Sequence, residues 1–299
     1  MQNYVVFQAY GSTAIIHEAM YAILSLYRFG DEKNFQLVIY TDNKAVFQEY
    51  MHDVPISYEL VTPTQIQSWR GEQNFVHRFK IKMLQDFFSK YTGNVLYVDT
   101  DVVFRESLTP IFEQISKGQL FMHLAEGQLD KQKGSLAKKI TRFVKNNEFI
   151  NPNTSSAEHS IKISSTTVMW NAGVLGLSTS FHTPLLDTIL WISDAMYSRY
   201  QKHVMEQLAF SYCLQTHSVI KPTEYAIYHY WFFKEFRTVL ASFFKKYKGA
   251  SLETLRTKVD TINPEVLVVP KKNYEAMPKW KRWWWKLRKK TWHLAMECH

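Results

Sequence analysis

Two aspartates near the end of one apolar segment are the residues in this sequence with the clearest chemical potential. The segment is NVLYVDTDVVF, residues 94–104, and it carries Asp99 and Asp101 among β-branched and aromatic residues typical of a buried strand. A buried carboxylate is costly unless it is paired, hydrogen-bonded or bound to a metal. Because side chains alternate along a strand, both aspartates should point to the same side. The pattern predicts a positive group between them, and Mg²⁺ or Mn²⁺ with phosphate ligands would suit two such carboxylates.

Two other interpretations of this D-x-D pattern stay open at this point. In the first, one aspartate caps the following turn and the other is solvated. In the second, Asp99 is the nucleophile of a phosphatase resembling the haloacid dehalogenases, whose motif also follows a strand. That family usually carries the motif near the N-terminus and adds a later lysine and acidic motif. The later aspartates of this chain form no such motif: Asp130, Asp187, Asp194 and Asp260.

The chain around these aspartates alternates strand-like and helix-like segments. Apolar patterns predict strands at 4–10, 36–43, 56–61, 94–104, 119–126 and 166–178, and helices at 12–30, 75–91, 107–116, 184–200 and 205–216. In the helix at 107–116, Thr109 is the expected cap and Pro110 lies in the first turn. The alternation favours a mainly parallel sheet with helices on both faces. Ligands bind such sheets beyond the carboxyl ends of the strands, where Tyr10, Gly11, Asp42 and Asn43 also lie.

Residues 127–165 interrupt this alternation. They are polar, with Lys, Asn and Ser prominent, and they predict a long loop or a helical excursion. A loop of this length in a compact domain is usually functional or disordered. Residues 225–233 are aromatic and predicted to be extended.

Composition indicates one large α/β domain and a separate tail. The chain has 299 residues and is 46% hydrophobic, and its two cysteines, Cys213 and Cys298, form neither a disulfide framework nor a metal-binding spacing. We find no signal-peptide pattern and no apolar run near the roughly 20 residues of a membrane span, so a reducing, cytoplasmic setting is expected. The net charge is +9, of which residues 271–299 carry +7 and residues 1–270 only +2. We therefore divide the chain into a domain over 1–270 and a basic aromatic tail over 271–299.

The tail contains the segment KWKRWWWKLRKKTWHLAM, residues 279–296. On a helix, one face would carry Trp280, Trp283, Trp284, Leu287 and Leu294, and basic residues would occupy most of the remainder. A basic amphipathic helix with tryptophans predicts attachment to an anionic membrane surface, which would make the protein peripheral at the inner face of the membrane. Packing of the stripe on the body is an alternative. Nucleic-acid binding is disfavoured because the body lacks a basic face.

An ordered set of motifs resembles a known enzyme class. The segments VVFQAYG, EAMYAILSLYRF, VIYTDN, HRFKIKML, VLYVDTDVVF, WNAGVLGL and MEQLAF occur in the order found in nucleotide-sugar glycosyltransferases of the GT-A fold. The chain resembles in particular the retaining group around glycosyltransferase family 8, over about residues 1–235. The resemblance implies a Rossmann-like α/β domain. It also implies metal-dependent transfer of a sugar, with UDP as the expected nucleotide, to a hydroxyl of a glycan or a lipid-linked acceptor. A homologue that binds the donor without turnover is the alternative.

The resemblance also implies roles for individual residues. Asp99, Asp101 and His229 would hold Mn²⁺ or Mg²⁺, although the family usually follows this histidine with Gly and Lys-Pro, whereas here Lys234 precedes Glu235. The nucleotide and donor sugar would contact Ala9, Tyr10, Gly11, Asp42, Arg78, Lys82, Thr100 and the N-A-G residues Asn171, Ala172 and Gly173. Asn171, Glu206 and Gln207 would lie at the reacting carbon. The metal and Arg78 would spread the charge of the leaving diphosphate.

Overall fold

The computed structural model of this chain describes residues 1–150, 160–288 and 290–292. Its strands in chain order are β1 (Asn3–Gln8), β2 (Gln36–Thr41), β3 (Ile56–Leu60), β4 (Asn94–Val98), β5 (Val102–Phe104), β6 (Leu120–Met122), β7 (Ala125–Gln128), β8 (Phe149–Ile150), β9 (Ser160–Ile161), β10 (Val168–Trp170), β11 (Val174–Ser178), β12 (Ile220–Pro222) and β13 (Ile227–His229). Its α-helices are α1 (Thr13–Leu26), α2 (Lys44–Met51), α3 (Pro63–Arg70), α4 (Arg78–Lys90), α5 (Thr109–Ile115), α6 (Ser135–Asn146), α7 (Thr179–Arg199), α8 (Met205–His217), α9 (Phe236–Lys246), α10 (Leu252–Lys258), α11 (Pro264–Leu267), α12 (Val269–Ala276) and α13 (Lys279–Leu287).

A seven-stranded sheet forms the centre of the molecule, in the order β12-β6-β11-β4-β1-β2-β3. Strand β1 pairs in parallel with β2 and β4, and β2 pairs in parallel with β3. Strand β11 runs antiparallel to both of its neighbours, β4 and β6. The predicted mainly parallel sheet is confirmed, with one reversed strand near its middle.

Helices cover both faces of this sheet, as the apolar patterns predict. Alternate residues of β4 enter two different cores: Leu96 and Val98 pack with α1 and α9, whereas Val95 and Tyr97 pack with α4, α7 and α8. A strand that is buried on both faces has to be apolar at every position. This is why residues 95–98 of β4 form an uninterrupted apolar run up to Asp99.

Several predicted elements differ in detail. The segment 94–104 is two strands, because the chain turns at residues 99–101 and β5 leaves the main sheet to pair with β13. Helices α2 and α3 were not predicted, although Thr62 caps α3 and Pro63 opens it. Leu108, not the expected Thr109, is the residue that precedes α5.

The polar stretch 127–165 contains a helix, α6, as one of its two interpretations predicts, flanked by short strands. Residues 151–159 lie outside the described residues. The strand predicted at 166–178 is divided into β10 and β11, and the break between them holds residues 171–173.

The tail forms a shorter helix than predicted. Helix α13 ends at Leu287, and part of the predicted segment, including Leu294, lies outside the described residues. Trp280, Trp283, Trp284 and Leu287 of α13 are exposed, whereas the ring of Trp292 lies 6.4 Å from that of Phe233 on the body. No described helix has the length and apolarity needed to cross a membrane.

Gly93 precedes β4 at a point where the chain has no room for a side chain. A Cβ at this position would lie 2.2 Å from the carbonyl oxygen of Gln2 and 2.9 Å from the ring of Tyr4. We expect Gly93→Ala to lower the free energy of unfolding by about 1–3 kcal/mol, because the backbone must shift as in other overpacked cores. Urea denaturation measures this loss. Thr92→Ala, at the exposed neighbouring position, is the control. A Gly93→Ala variant that is as stable as Thr92→Ala would contradict the prediction.

Candidate active site

Three potential metal ligands meet where β4 ends. Asp99 and Asp101 stand in the turn between β4 and β5, and His229 ends β13, which pairs with β5 so that His229 faces Val102. One ligand atom from each of the three residues lies within 4.8 Å of the others. Nε2 of His229 is 2.9 Å from Oδ1 of Asp101 and 3.9 Å from Oδ2 of Asp99. Two carboxylates and an imidazole fit Mn²⁺ and are compatible with Mg²⁺.

The N-A-G segment contacts His229 on the side of the ring that faces away from the aspartates. Oδ1 of Asn171 lies 3.2 Å from Nδ1 of His229 and accepts a hydrogen bond of 2.9 Å from the backbone N–H of Gly173. A proton on Nδ1 can donate to this oxygen, which leaves Nε2 facing the carboxylates. A Cβ on Gly173 would lie 2.3 Å from Cε1 of His229. Glycine is therefore required at this position if His229 is to approach the aspartates.

Two nitrogen groups from other elements approach Asp101. Nζ of Lys234 lies 2.5 Å from its Oδ2, opposite the contact with His229. Burial alone would raise the pKa of Asp101, but His229 and Lys234 outweigh burial and hold it below its usual range. The carboxylate is therefore ionised at neutral pH and available to a cation.

Asp99 is tied to a fully buried ion pair. Nζ of Lys80 lies 3.5 Å from Oδ1 of Asp99 and 3.2 Å from Oε1 of Glu206, and it donates a 2.8 Å hydrogen bond to the carbonyl oxygen of Ala172. The Tyr97 hydroxyl also donates to Asp99. Burial raises the pKa of Glu206 to about 7, Lys80 opposes this shift and Asp99 adds to it. Glu206 is therefore able to carry a proton near neutral pH.

Gln207 and Asn171 meet through a residue that the motifs did not indicate. Nε2 of Gln207 donates to Glu126 Oε2 at 2.9 Å, and Nδ2 of Asn171 lies 3.4 Å from Glu126 Oε1. Glu126 is on β7, the strand that pairs with β10 just before the N-A-G segment. These three side chains form a polar rim beside the metal ligands.

Solved structures resemble this chain at low sequence identity, whereas no family model and no curated protein sequence matches it. The galactosyltransferase LgtC, in complex with donor and acceptor sugar analogs, is 15% identical, with 85% of this chain and 99% of LgtC covered and a TM-score of 0.50. Mouse xyloside xylosyltransferase 1 is 13% identical, with 74% and 85% covered and a TM-score of 0.49.

Strand order and the superposition on LgtC agree with the architecture that the motifs suggested. The chain has the GT-A fold. At this level of identity the similarity establishes architecture, and the activity has to be argued from the site.

A groove in this GT-A fold runs from the metal ligands past the end of β1. One cavity of about 450 Å³ contains Lys80, Asp99, Asp101 and Lys234 among its lining residues. A second, of about 940 Å³, is lined by Asp42 and residues of α3 and the following loop. The two cavities share three lining residues, Tyr10, Gly11 and Arg70. The backbone N–H of Gly11 donates to Asp42 at 3.0 Å, so the two expected nucleotide contacts are adjacent.

Other expected contacts lie at different depths around this groove. Thr100 is buried and lines the first cavity, where its hydroxyl lies 3.5 Å from Glu18. Ala9 is fully buried, and its N–H donates to the carbonyl oxygen of Tyr40. Ala172 is buried behind the cluster, where its carbonyl oxygen accepts from Lys80.

Two predicted cations do not reach the cluster. Arg78 forms an ion pair of 2.8 Å with Asp194, and Lys82 donates to Gln85. Lys80, between them in sequence, enters the site instead. Its position could have been inferred, because at helical spacing Lys80 shares a face with the buried residues Met83, Leu84 and Phe87.

A second buried ion pair was also missed by the sequence analysis. Glu18, on the buried side of α1, accepts hydrogen bonds from the guanidinium group of Arg237 on α9 at 2.8 and 3.0 Å. Both residues line the first cavity beside Asp101 and Lys234. The sequence did contain a signal for this pair, because Glu18 interrupts the apolar pattern of α1 and a buried carboxylate needs a partner.

We expect Lys80→Met to lower the free energy of unfolding by about 3–5 kcal/mol, because it leaves Glu206 and Asp99 without their buried cation. Urea denaturation provides the measurement. Lys82→Met is the control and should cost less than about 1 kcal/mol, since its partner is one amide oxygen. Adding Glu206→Gln to Lys80→Met should restore part of the loss.

The loss in Lys80→Met should also depend on pH. The pKa of Glu206 is already raised to about 7 in the folded state, and removal of Lys80 raises it further. When the pKa of a carboxyl is higher in the folded than in the unfolded state, the free energy of unfolding falls as the pH rises above the unfolded-state pKa. The loss of free energy of unfolding in the variant should therefore be larger at about pH 8 than at about pH 5. A loss that is equal at both values would contradict this account of the Lys80–Glu206 pair.

Proposed function

We propose that this protein is a metal-dependent glycosyltransferase that moves a sugar from a nucleotide-diphosphate sugar to an acceptor hydroxyl. UDP is the nucleotide that we expect from the motifs. One observation carries the proposal: the cluster of Asp99, Asp101 and His229 borders a groove that leads past Gly11 to Asp42. Together these features suit a donor that has a diphosphate at one end and a nucleoside at the other.

Asp99, Asp101 and His229 would hold the metal, which is Mn²⁺ or Mg²⁺ in this proposal. When bound, the metal would neutralise the charge that develops on the departing diphosphate. Lys234 stands beside Asp101 with half of its side chain exposed, so its ammonium group can turn toward a phosphate without leaving the site. Arg237 is held at the same cavity by Glu18 and adds a fixed positive charge.

The donor sugar would lie against the polar rim. Asn171, Gln207 and Glu126 present amide and carboxylate groups that can hydrogen-bond to sugar hydroxyls. Glu206 lies behind them, buried and paired with Lys80, so we assign it the positioning of Lys80 and Asp99 rather than attack on the sugar. We expect retention of configuration from the family 8 resemblance. In that case the acceptor hydroxyl would attack the reacting carbon of the sugar on the same face from which the diphosphate leaves.

The acceptor in this proposal is a glycan or a lipid-linked glycan at a membrane surface. Helix α13 supports this, because Trp280, Trp283, Trp284 and Leu287 are exposed next to four basic residues of the same helix. Such a helix can lie in the interface of a membrane with its apolar face buried. We propose that the tail binds the anionic inner face of the membrane and holds the enzyme near its acceptor.

Donor turnover tests the enzymatic proposal. We expect purified protein with Mn²⁺ to release nucleoside diphosphate slowly from one member of a nucleotide-sugar panel, and EDTA to abolish the release. Asp101→Ala should lower the rate by about 10²-fold or more, because the metal would lose a ligand. Asp53→Ala removes an exposed aspartate outside the described cluster and should leave the rate unchanged.

Three outcomes would contradict this proposal. Metal-dependent donor binding by calorimetry without any release favours a non-catalytic homologue. An acyl-phosphate trapped on Asp99 favours the phosphatase interpretation. If no donor is either bound or hydrolysed, the groove is not a nucleotide-sugar site.

Vesicle co-sedimentation tests the tail. We expect the full chain to bind vesicles that contain phosphatidylglycerol better than neutral vesicles, and to bind less at high salt. Trp283→Ser with Trp284→Ser should weaken binding by at least about ten-fold, because two large apolar side chains no longer enter the membrane. Leu60→Ser with Val219→Ser removes exposed apolar residues elsewhere and should have no effect. Equal binding by both double variants would contradict a role for α13.

A further inference from the structure

Six exposed cations form a second basic surface, distant in sequence from the tail. They lie between the end of β7 and the end of α6, and we call them the basic rim: Lys131, Lys133, Lys138, Lys139, Arg142 and Lys145. None of the six forms an ion pair with any residue that the structure describes. Only two acidic residues, Asp130 and Glu148, accompany them within residues 127–150.

Charge in this chain is concentrated at two places. Residues 127–150 carry a net +4 and the tail a net +7, so the rest of the chain carries a net −2 out of a total of +9. The excess positive charge is therefore not spread evenly over the chain. Like charges that lie close together in the chain and have no ion pair within the described residues favour a partner outside the protein.

The basic rim begins at the site itself. Nε2 of Gln132 lies 3.3 Å from the carbonyl oxygen of Glu126 and 3.4 Å from that of Gly127, and folds the start of the excursion onto β7. The carboxylate of the same Glu126 contacts Gln207 and Asn171. Lys131 and Lys133 thus flank, in the chain, the glutamine that is hydrogen-bonded to the backbone of Glu126, and the other four cations lie on α6, which follows.

The apolar face of α6 is already covered. Ile140 and Val144 are buried in the core, and Leu136 and Phe143 pack against it. The outer face therefore offers charge without an apolar side chain that could enter a bilayer. Helix α13 is the reverse case, because its residues Trp280, Trp283 and Trp284 are exposed. This contrast favours fixed anionic groups on a soluble or protruding ligand over a membrane as the partner of the basic rim.

We propose that the basic rim binds phosphate or carboxylate groups carried by the acceptor glycan, so that the acceptor of this enzyme is a polyanionic saccharide. The inference rests on the proposed function, because it takes the acceptor to reach the donor sugar beside the polar rim of Glu126, Gln207 and Asn171, next to which the basic rim begins. Lysine binds phosphate as a point charge that needs no fixed geometry, which suits an acceptor with several anionic groups along its length. At physiological salt such charges act over about 8 Å and would guide the acceptor toward the groove.

Binding of short inorganic polyphosphate to the full chain tests this proposal. The test variant replaces Lys138, Lys139 and Lys145 with Ala, and the control variant removes the same charge by replacing the exposed residues Lys33, Lys117 and Lys258 with Ala. Calorimetry should show binding to wild type and control, on the order of ten-fold weaker binding to the test variant, and a shallower salt dependence in that variant. Neutral maltoheptaose, a probe without charge, should show no difference among the three.

Hydrogen exchange with polyphosphate bound locates the contact. Protection within residues 126–146 supports the basic rim. Protection confined to the tail over 279–288, or equal affinities of the test and control variants, overturns the proposal. Loss of binding to phosphatidylglycerol vesicles in the test variant, with polyphosphate binding unchanged, overturns it in favour of a membrane contact.

Donor release separates this inference from the proposed function. The three lysines replaced in the test variant lie outside the groove, so its metal-dependent release of nucleoside diphosphate should equal that of wild type. If the protein releases nucleoside diphosphate but polyphosphate binding does not depend on the basic rim, the inference about the acceptor is wrong and the proposed function stands. If polyphosphate binding depends on the basic rim but no donor yields nucleoside diphosphate, the proposed function is wrong and the basic rim is an anion-binding surface of a protein with another role.

Discussion

The structure depends on the compensation of two carboxylates at the end of a strand that is buried on both faces. Residues 95–98 of β4 are apolar because helices cover both sides of the sheet, and Asp99 and Asp101 follow directly after them. Carboxylates in such a place are stable only if positive groups reach them. In this chain the groups that reach them come from three separate elements: Lys80 from α4, His229 from β13 and Lys234 from the segment that follows.

Each of these groups imposes its own requirement on the surrounding chain. His229 reaches Asp101 only because β5 leaves the main sheet to pair with β13, and only because Gly173 leaves space for the imidazole ring. Lys80 is buried and requires Glu206 as a second anion, which connects the aspartates to α8. The same burial raises the pKa of Glu206 to about 7. The site is therefore a network in which a change in one ion pair alters the charge state of the next.

The two basic helices show that similar composition leads to different surfaces. Helices α6 and α13 are both amphipathic and lysine-rich, but α6 buries its apolar face in the core and α13 exposes its tryptophans. The difference arises from where each helix is attached. Helix α6 follows β7 and is fastened by hydrogen bonds from Thr141 and Gln132 to the backbone of residues 126–129, whereas no residue of α13 is buried.

The sequence by itself determined the layered α/β architecture and the chemical character of the site. Uninterrupted apolar runs specify strands buried on both faces, and helical spacing specifies which faces of α1, α4 and α8 are covered. The ordered motifs indicated the GT-A fold and brought attention to Asp99, Asp101, His229, Asn171 and Gly173, which the structure gathers within one cluster.

Only the tertiary structure decided which charged residues meet. Arg78, Lys80 and Lys82 are close in sequence, but the rotation of α4 against β4 and α8 turns Lys80 inward and leaves Arg78 to Asp194. Glu126, Glu18 and Arg237 could not be assigned because their partners are tens of residues or more away in the chain. The physical reason is that apolar burial follows from local periodicity, whereas an ion pair depends on the distance between two elements that only packing brings together.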